Sequence, residues 1–361
     1  MSAQSASPAL LRAVAVSGGD ADAVEGPLHG YHHETYVFPF PGGAEEDGQV
    51  RWKCREPHPD LLWFDRRCFA SEEQLLRSLE GRIEGIPELI DAGTARLQRF
   101  VEGHTLGELY GSGTEVPEPL VRQLIFLFRQ LAAVRPGSLS AERTCLPVDR
   151  ATEADSSGFL ERLVLFTEER VYRQNLPRFA GLFHDLGLDD DSFKKLRKQV
   201  AGLTERPFCL LQADLHRENF VVDADGRLWT IDWELSMFGD PLYDLATHLY
   251  LMRYPADQEP GVIARWREAV DGVTPGSSAG YADDLPKLLA YKRAQSVFTD
   301  VIRTALTLAP APGPVPDADA LARAAHKIER VLIAAEGPLE IEKAPDVDAV
   351  TTALEAWCRR A

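Results

Sequence analysis

The sequence is short of cysteine, of positive charge and of long apolar runs, and each shortage closes off a class of protein. Its five cysteines, Cys54, Cys68, Cys145, Cys209 and Cys358, are odd in number and far apart, with no Cys-x-x-Cys pair. Neither a disulfide framework nor a structural zinc site is expected from that pattern. Lysine and arginine total 39 against 56 aspartates and glutamates, a net charge of −17. Such a surface repels nucleic acid and anionic membrane, so neither is an expected partner, and it attracts cations. No run of about 18 apolar residues occurs, so no membrane span is expected. The opening MSAQSASPALLRAVAVSGG lacks the basic stretch and apolar core of a secretory signal. These features point to the cytoplasm.

What is present reads as a soluble α+β chain in two parts. Residues 1–26, rich in Ala, Ser, Gly and Asp, read as a flexible N-terminal tail with one short helix at Leu10 to Val16. Tyr36 to Phe40 and Val50 to Cys54 read as strands, with Pro41, Gly42 and Gly43 breaking the chain between them. Ser71 is a natural N-cap for a helix to Leu79, and Arg96 to Val101 is a further strand. Residues 27–103 are thus a small strand-rich lobe. From 104 to 361 helices dominate: Leu120 to Val134, Phe159 to Gln174, Ser192 to Leu203, Asp244 to Met252, Leu285 to Leu308, Asp319 to Ala335 and Val347 to Arg360. Ala309 to Pro316 reads as a loop, and there is no internal repeat.

The chemistry sits in LLQADLHRENFVVDADGRLWTIDWELSMFGDPLYDLATHL, residues 210–249. Phe220 to Asp223 and Leu228 to Ile231 flank Asp225-Gly226, a hairpin turn signal. That hairpin delivers Asn219 and Asp232 to one end, with Asp214 on the adjoining loop. Phosphoryl transfer asks the protein mainly for positioning and charge stabilisation. One carboxylate must orient the acceptor hydroxyl and take its proton. Another, with an amide oxygen, must hold Mg²⁺, a hard cation that prefers oxygen ligands. Asp214 is therefore assigned as the base, and Asn219 and Asp232 as the Mg²⁺ ligands. Asp214 and Asn219 stand in the D-x-x-x-x-N spacing of a kinase catalytic loop.

The stretch resembles the aminoglycoside phosphotransferase and choline kinase family, whose signature runs roughly H-G-D-x-H-x-x-N, then I-D-W/F-x, then G-D-P-x-x-D-L-A. Asp214, His216 and Asn219, then Ile231-Asp232-Trp233-Glu234, then Gly239-Asp240-Pro241 and Asp244-Leu245-Ala246 match it in order. Gln212 and Ala213 replace its usual His and Gly. Gln212 can brace the loop by a hydrogen bond, and His216, Asp240 and Asp244 read as structural, with Asp244 able to cap its helix. Glu234 reads as touching a second metal or the substrate, or as plainly exposed. The resemblance implies a protein-kinase-like two-lobed fold that uses ATP or GTP with Mg²⁺.

It also implies a phosphate-covering turn, a lysine and a partner glutamate in the first lobe. Gly30 to Tyr36 is placed for the turn, with His33 where the family usually has Asn. Lys53 is the expected phosphate lysine. Arg51 and Arg55 share its face by strand alternation and are open alternatives. Glu72 is its expected ion-pair partner, with Glu73 competing. Leu97 to Leu106 resembles the segment joining the lobes, where Gln98, Phe100 and Val101 would meet the base. The implied activity is phosphoryl transfer to a hydroxyl of a small molecule. The acidic balance favours a cationic acceptor such as an aminoglycoside, another basic antibiotic or an amino alcohol. Asp189 to Asp191 and Asp283-Asp284 are candidates to pair with it. No His-Arg-Asp, Asp-Phe-Gly or Ala-Pro-Glu of a protein kinase occurs. The alternative is an inactive kinase-fold protein that binds nucleotide or ligand.

Overall fold

A computed structural model describes residues 7–28, 33–40, 50–57, 67–93, 95–308 and 317–360. Contacts divide the chain into two compact units: Met1–Thr144 with Asp214–Met237 and Leu251–Ala269, and Cys145–Ala213 with Phe238–Tyr250 and Val270–Ala361. The division does not follow residue 103, because the long helix Glu118–Ala133 and the Asp214–Met237 segment pack with the strand-rich part.

The first unit is built on α1 (Pro8–Val16), β1 (Glu25–Leu28), β2 (His33–Pro39), β3 (Arg51–Pro57), α2 (Glu72–Leu79), β4 (Leu89–Ala92) and β5 (Ala95–Arg99). The strands form one antiparallel sheet in the order β1-β2-β3-β5-β4. Strand alternation gives it two unlike faces. Tyr36, Phe38, Trp52, Cys54 and Leu97 lie on one face and pack with Ala9 and Ala13 of α1 in a single buried cluster. Arg51, Lys53 and Arg55 lie on the other.

The packed α1 corrects the reading of residues 1–26 as a flexible tail over the part described. Ser7 caps the helix, accepting the Leu10 N–H at 3.1 Å, and Pro8 starts it with its φ already suited to a helix. Two alanines at i and i+4 leave a smooth stripe that lies flat on the sheet. The strand break at Pro41 to Gly43 and the loop Ala309 to Pro316 lie outside the described residues.

The hairpin pairs Phe220–Val222 with Leu228–Thr230, and His104–Thr105 pairs on its outer side. Its turn is built on Asp223, whose Oδ1 accepts the N–H groups of Asp225 (3.0 Å) and Arg227 (2.9 Å). Thr230 N–H donates to the Gly85 carbonyl at 2.6 Å. The Gln123 side chain accepts Leu228 N–H at 2.8 Å and donates to the Gly226 carbonyl at 3.0 Å. Gly103 lies against the first hairpin strand with φ +146°, and a Cβ there would stand 2.3 Å from the Val222 carbonyl oxygen, so only glycine fits.

The second unit is mainly helical. Its core stacks Phe193 on Phe298 (4.6 Å between ring centroids) and sets Tyr172 against Phe183, Phe193 and Phe298. The helix expected over 159–174 begins earlier, as Ser156–Phe166, and continues as a π-helical turn, Thr167–Tyr172. Arg206, fully buried, makes a two-pronged pair with Asp240 (2.8 and 2.7 Å) and a third bond to Asp284 at 2.8 Å. Among the described residues no helix is long and apolar enough to cross a membrane.

Candidate active site

Asp214, His216 and Asn219 form one hydrogen-bonded loop. The Asn219 side-chain amide donates to both the Asp214 carbonyl (2.9 Å) and its carboxylate Oδ2 (3.2 Å). His216 Nε2 lies 3.3 Å from the same Oδ2. His216 Nδ1 accepts the Glu218 N–H at 3.2 Å, so in the neutral ring the proton sits on Nε2 and is donated to Asp214. Burial opposes a charge on His216, but the hydrogen bond and charge of Asp214, with Asp232 and Glu218 behind, raise its pKa. The Asp214 carboxylate is thus oriented by two neighbours in its own loop. Arg217 locks the loop from below, donating to the carbonyls of Tyr110 (2.7 Å), Thr114 (2.9 Å) and Met252 (2.9 Å).

Ala213 and Gln212, the two departures from the family pattern, donate their backbone N–H groups to Asp244 at 2.7 and 3.1 Å. Asp244, inside its helix, therefore holds the start of the Asp214 loop rather than capping that helix. Ala213 has φ +70°, a left-handed conformation natural to the glycine that the family carries there and costly for a residue with a Cβ.

The hairpin brings Asn219 and Asp232 to the same end: Ile231 N–H donates to the Asn219 carbonyl at 2.9 Å, and Asp232 follows with φ +59°. Burial raises the Asp232 pKa, and the charges of Glu234 and Asp214 add to that, against the pull of Arg55 and Lys53. These residues suit Mg²⁺. A carboxylate crowded by other carboxylates gains from a cation. The amide nitrogen of Asn219 is engaged with Asp214, which leaves its Oδ1 as the hard-oxygen end. Among the described residues no group of three or more His, Cys, Asp or Glu forms a metal cage.

On the sheet the sequence reading needs a correction. The ion pair to α2 is made by Arg55, not Lys53: an Arg55 Nη lies against the Glu72 carboxylate, and Arg55 Nη1 stands 3.9 Å from Asp232 Oδ1. Glu72 also accepts the Trp233 N–H at 2.8 Å, which ties α2 to the segment bearing Asp232. Glu73 turns to its own cap, taking the Ser71 hydroxyl at 2.6 Å. Arg51 points elsewhere, to Glu25 and Glu102, with its guanidinium 4.8 Å over the Phe100 ring. Lys53 sits between the two arginines, and burial, with the charge of Arg55, pushes its pKa down to about 8.

Gln98 is buried beside Lys53 in the β3–β5 register. Phe100 follows with its N–H donated to the Arg51 carbonyl at 2.9 Å, and Val101 comes next. His33 opens β2 and faces Glu234, with Nδ1 3.5 Å from Oε2. Gly30 lies outside the described residues. Glu234 is neither plainly exposed nor aimed at solvent: Arg67 pairs with it at 2.8 Å, and both line a cavity of about 280 Å³ with His33, Arg55 and Glu72. Arg67 was not singled out from the sequence, where nothing about its spacing marks it. Of the acids proposed to meet a cationic acceptor, Asp284 is taken internally by Arg206, and Asp191 pairs with Lys194 at 2.6 Å.

Similar architecture occurs in solved structures. A macrolide 2′-phosphotransferase from Brachybacterium faecium is 16% identical, with a TM-score of 0.52 over 93% of this chain and 99% of that one. A choline/ethanolamine kinase family protein from Mesorhizobium loti is 18% identical, with a TM-score of 0.51 over 91% of each chain. A putative aminoglycoside phosphotransferase from Ralstonia eutropha is 15% identical, with a TM-score of 0.54 over 90% and 93%. The fold is therefore the protein-kinase-like one, with its small antiparallel sheet lobe and larger helical lobe, as the sequence implied. No curated protein sequence matches the chain. Residues 29–281 match the model of the phosphotransferase enzyme family, and the chain belongs to that family. The protein is a phosphotransferase.

Proposed function

We propose that the protein is a small-molecule kinase that moves the γ-phosphoryl group of ATP or GTP onto a hydroxyl of a small, cationic acceptor. The observation that carries this reading is the Asp214 carboxylate, oriented by Asn219 at 3.2 Å and His216 at 3.3 Å in a loop whose hairpin ends in Asp232. Asp214 orients the acceptor hydroxyl and takes its proton as the oxygen attacks phosphorus. Asp232 and the Asn219 amide oxygen would hold Mg²⁺, which supplies charge neutralisation at the phosphates. Lys53 and Arg55 bring positive charge to the nucleotide, and the Phe100–Val101 backbone offers polar groups to the base. His33, at the start of β2, would lie beside the phosphates.

The net charge of −17 supports a cationic acceptor, since it raises the local concentration of such a molecule. Solved relatives named for macrolide, aminoglycoside and choline substrates share the fold. Cysteines without a disulfide suit a cytoplasmic setting. The test is a nucleotide-turnover screen against hydroxylated amines, including aminoglycosides, macrolides and amino alcohols, with and without Mg²⁺. Acceptor-dependent, Mg²⁺-dependent turnover is expected. Tight nucleotide binding without transfer to any acceptor would instead mark a kinase-fold binding protein.

A further inference from the structure

One row of side chains crosses four strands on the sheet face turned away from α1. The registers Val37↔Lys53, Lys53↔Gln98 and Leu89↔Gln98 place Val37, Lys53, Gln98 and Leu89 side by side. Directly opposed residues in antiparallel strands share a face, with Cβ atoms roughly 4.5–5.5 Å apart. Two polar groups therefore lie between two apolar ones. Gln98 is only 3% exposed, and among the described residues its Nε2 has no hydrogen-bond partner. Lys53 forms no ion pair with the described residues, although Arg55, Asp232, Glu73 and Glu234 lie within electrostatic range. Buried donors without acceptors are rare in native proteins, and each calls for an explanation.

The pair lies between the two ends of the proposed nucleotide site. One pleat repeat along β3 from Lys53 is Arg55, near Asp232, where the phosphates are proposed to lie. Two residues along the chain from Gln98 is Phe100, at the edge proposed for the base.

We infer that Lys53 and Gln98 read the 6-position of the purine and select an oxygen there, so that the phosphoryl donor is a 6-oxopurine triphosphate, GTP or ITP, in preference to ATP. This rests on the nucleotide reading above and narrows it. A lysine ammonium has three donors and no acceptor. Guanine and hypoxanthine present O6, which accepts. Adenine presents an amino group, which sets donor against donor and leaves buried groups unmatched. The glutamine amide can turn to accept, but the ammonium cannot, so the pair as a unit favours oxygen. A site built to hydrogen-bond one group discriminates strongly against a ligand that lacks it.

The test uses binding, so the acceptor need not be known. The non-hydrolysable analogues GMPPNP, IMPPNP and AMPPNP are titrated calorimetrically with Mg²⁺ into the full chain, wild type and the variants Lys53→Met and Gln98→Leu. Wild type should bind GMPPNP and IMPPNP tighter than AMPPNP by on the order of 10- to 100-fold. Each variant should bring that ratio to within a few fold, by weakening the 6-oxo analogues alone. Gln98→Leu keeps the volume of a buried side chain and serves if Lys53→Met does not fold. AMPPNP binding as tight as GMPPNP in wild type would overturn the inference and leave the kinase reading standing. Equal weakening of all three analogues by Lys53→Met would overturn it too, assigning the lysine to the phosphates. Weak IMPPNP beside tight GMPPNP would shift the selection to the 2-amino group and also refute it. Failure of the folded wild type to bind any of the three would remove the nucleotide reading itself.

Discussion

Arg55 on β3 and Glu72 in the first turn of α2 are an ion pair whose side chains are 14% and 2% exposed. Glu72 also takes the Trp233 N–H, so one carboxylate joins sheet, helix and the segment carrying Asp232. Removing one member of a buried pair leaves the other charge stranded, at a cost of about 3–5 kcal/mol. Glu72→Ala and Arg55→Ala should each lower stability by that order in urea unfolding. The double variant should cost less than the two singles together, because the stranded charge is gone. Lys53→Ala should be far milder. A Lys53→Ala loss as large as that of Arg55→Ala, with no coupling in the Arg55/Glu72 cycle, would return the pairing to the lysine.

This pair also marks where the sequence stopped being legible. Alternation placed Arg51, Lys53 and Arg55 on one face, but it carries no information about which of the three stands level with the start of α2. That height depends on how α2 packs against the sheet, which no local pattern encodes. The same limit hid Arg67 and Arg206, whose partners Glu234, Asp240 and Asp284 lie far along the chain. The long amphipathic helices and the hairpin were readable, because their periodicity and the Asp-Gly turn are local. Strand β4 and the helices Leu176–Asp185 and Glu259–Asp271 were not, being short or interrupted by Pro or Gly. The Asp214–Asn219 loop was readable because its hydrogen bonds run between near neighbours.

Ala213 offers a test of that loop. Its φ of +70° costs roughly 1–2 kcal/mol for a residue with a Cβ. Glycine removes that strain but brings about 0.5–1 kcal/mol of extra backbone entropy to lose. Ala213→Gly should therefore stabilise the protein by up to about 1.5 kcal/mol, read as a rise in the urea midpoint at unchanged slope. A clear loss of stability would mean that the alanine methyl contributes packing greater than the strain.

Asp232 should behave as a site kept at the expense of stability. Burial and the charges of Glu234 and Asp214 raise its pKa in the folded, metal-free protein. A carboxyl whose pKa is higher folded than unfolded is disfavoured as an anion by folding. Below the unfolded value, about 3.9, both states are protonated and no penalty exists. As pH rises past it the unfolded chain ionises first and the native state loses ground, until the folded group ionises too. Asp232→Asn removes that penalty. Metal-free Asp232→Asn should melt higher than wild type at pH 8, and the gap should close towards pH 4. Added Mg²⁺ with nucleotide should raise the wild-type melting temperature and leave that of the variant nearly unchanged. A variant less stable than wild type at pH 8 without metal would place Asp232 in a stabilising pair instead.

The sharpest separation of chemistry from binding comes at Asp214. Asn219 and His216 orient its carboxylate from within the loop, and neither interaction requires a bound metal. Asp214→Asn preserves size and most hydrogen-bonding capacity and removes the charge proposed to receive the hydroxyl proton. Mg²⁺-nucleotide affinity, measured by calorimetry, should stay within a few fold. The transfer rate, followed as phosphorylated product with an acceptor found in the screen, should fall by roughly 10² to 10⁴, the usual worth of a positioned acid–base group. His216→Ala removes one of the two groups that orient the carboxylate and leaves the proposed base, so its loss of rate should be smaller. An Asp214→Asn protein that transfers at the wild-type rate would show that another group takes the proton. A parallel collapse of nucleotide affinity and rate would show instead that Asp214 holds the metal, and that the amide of Asn219 is fixed by a ligand rather than by a base.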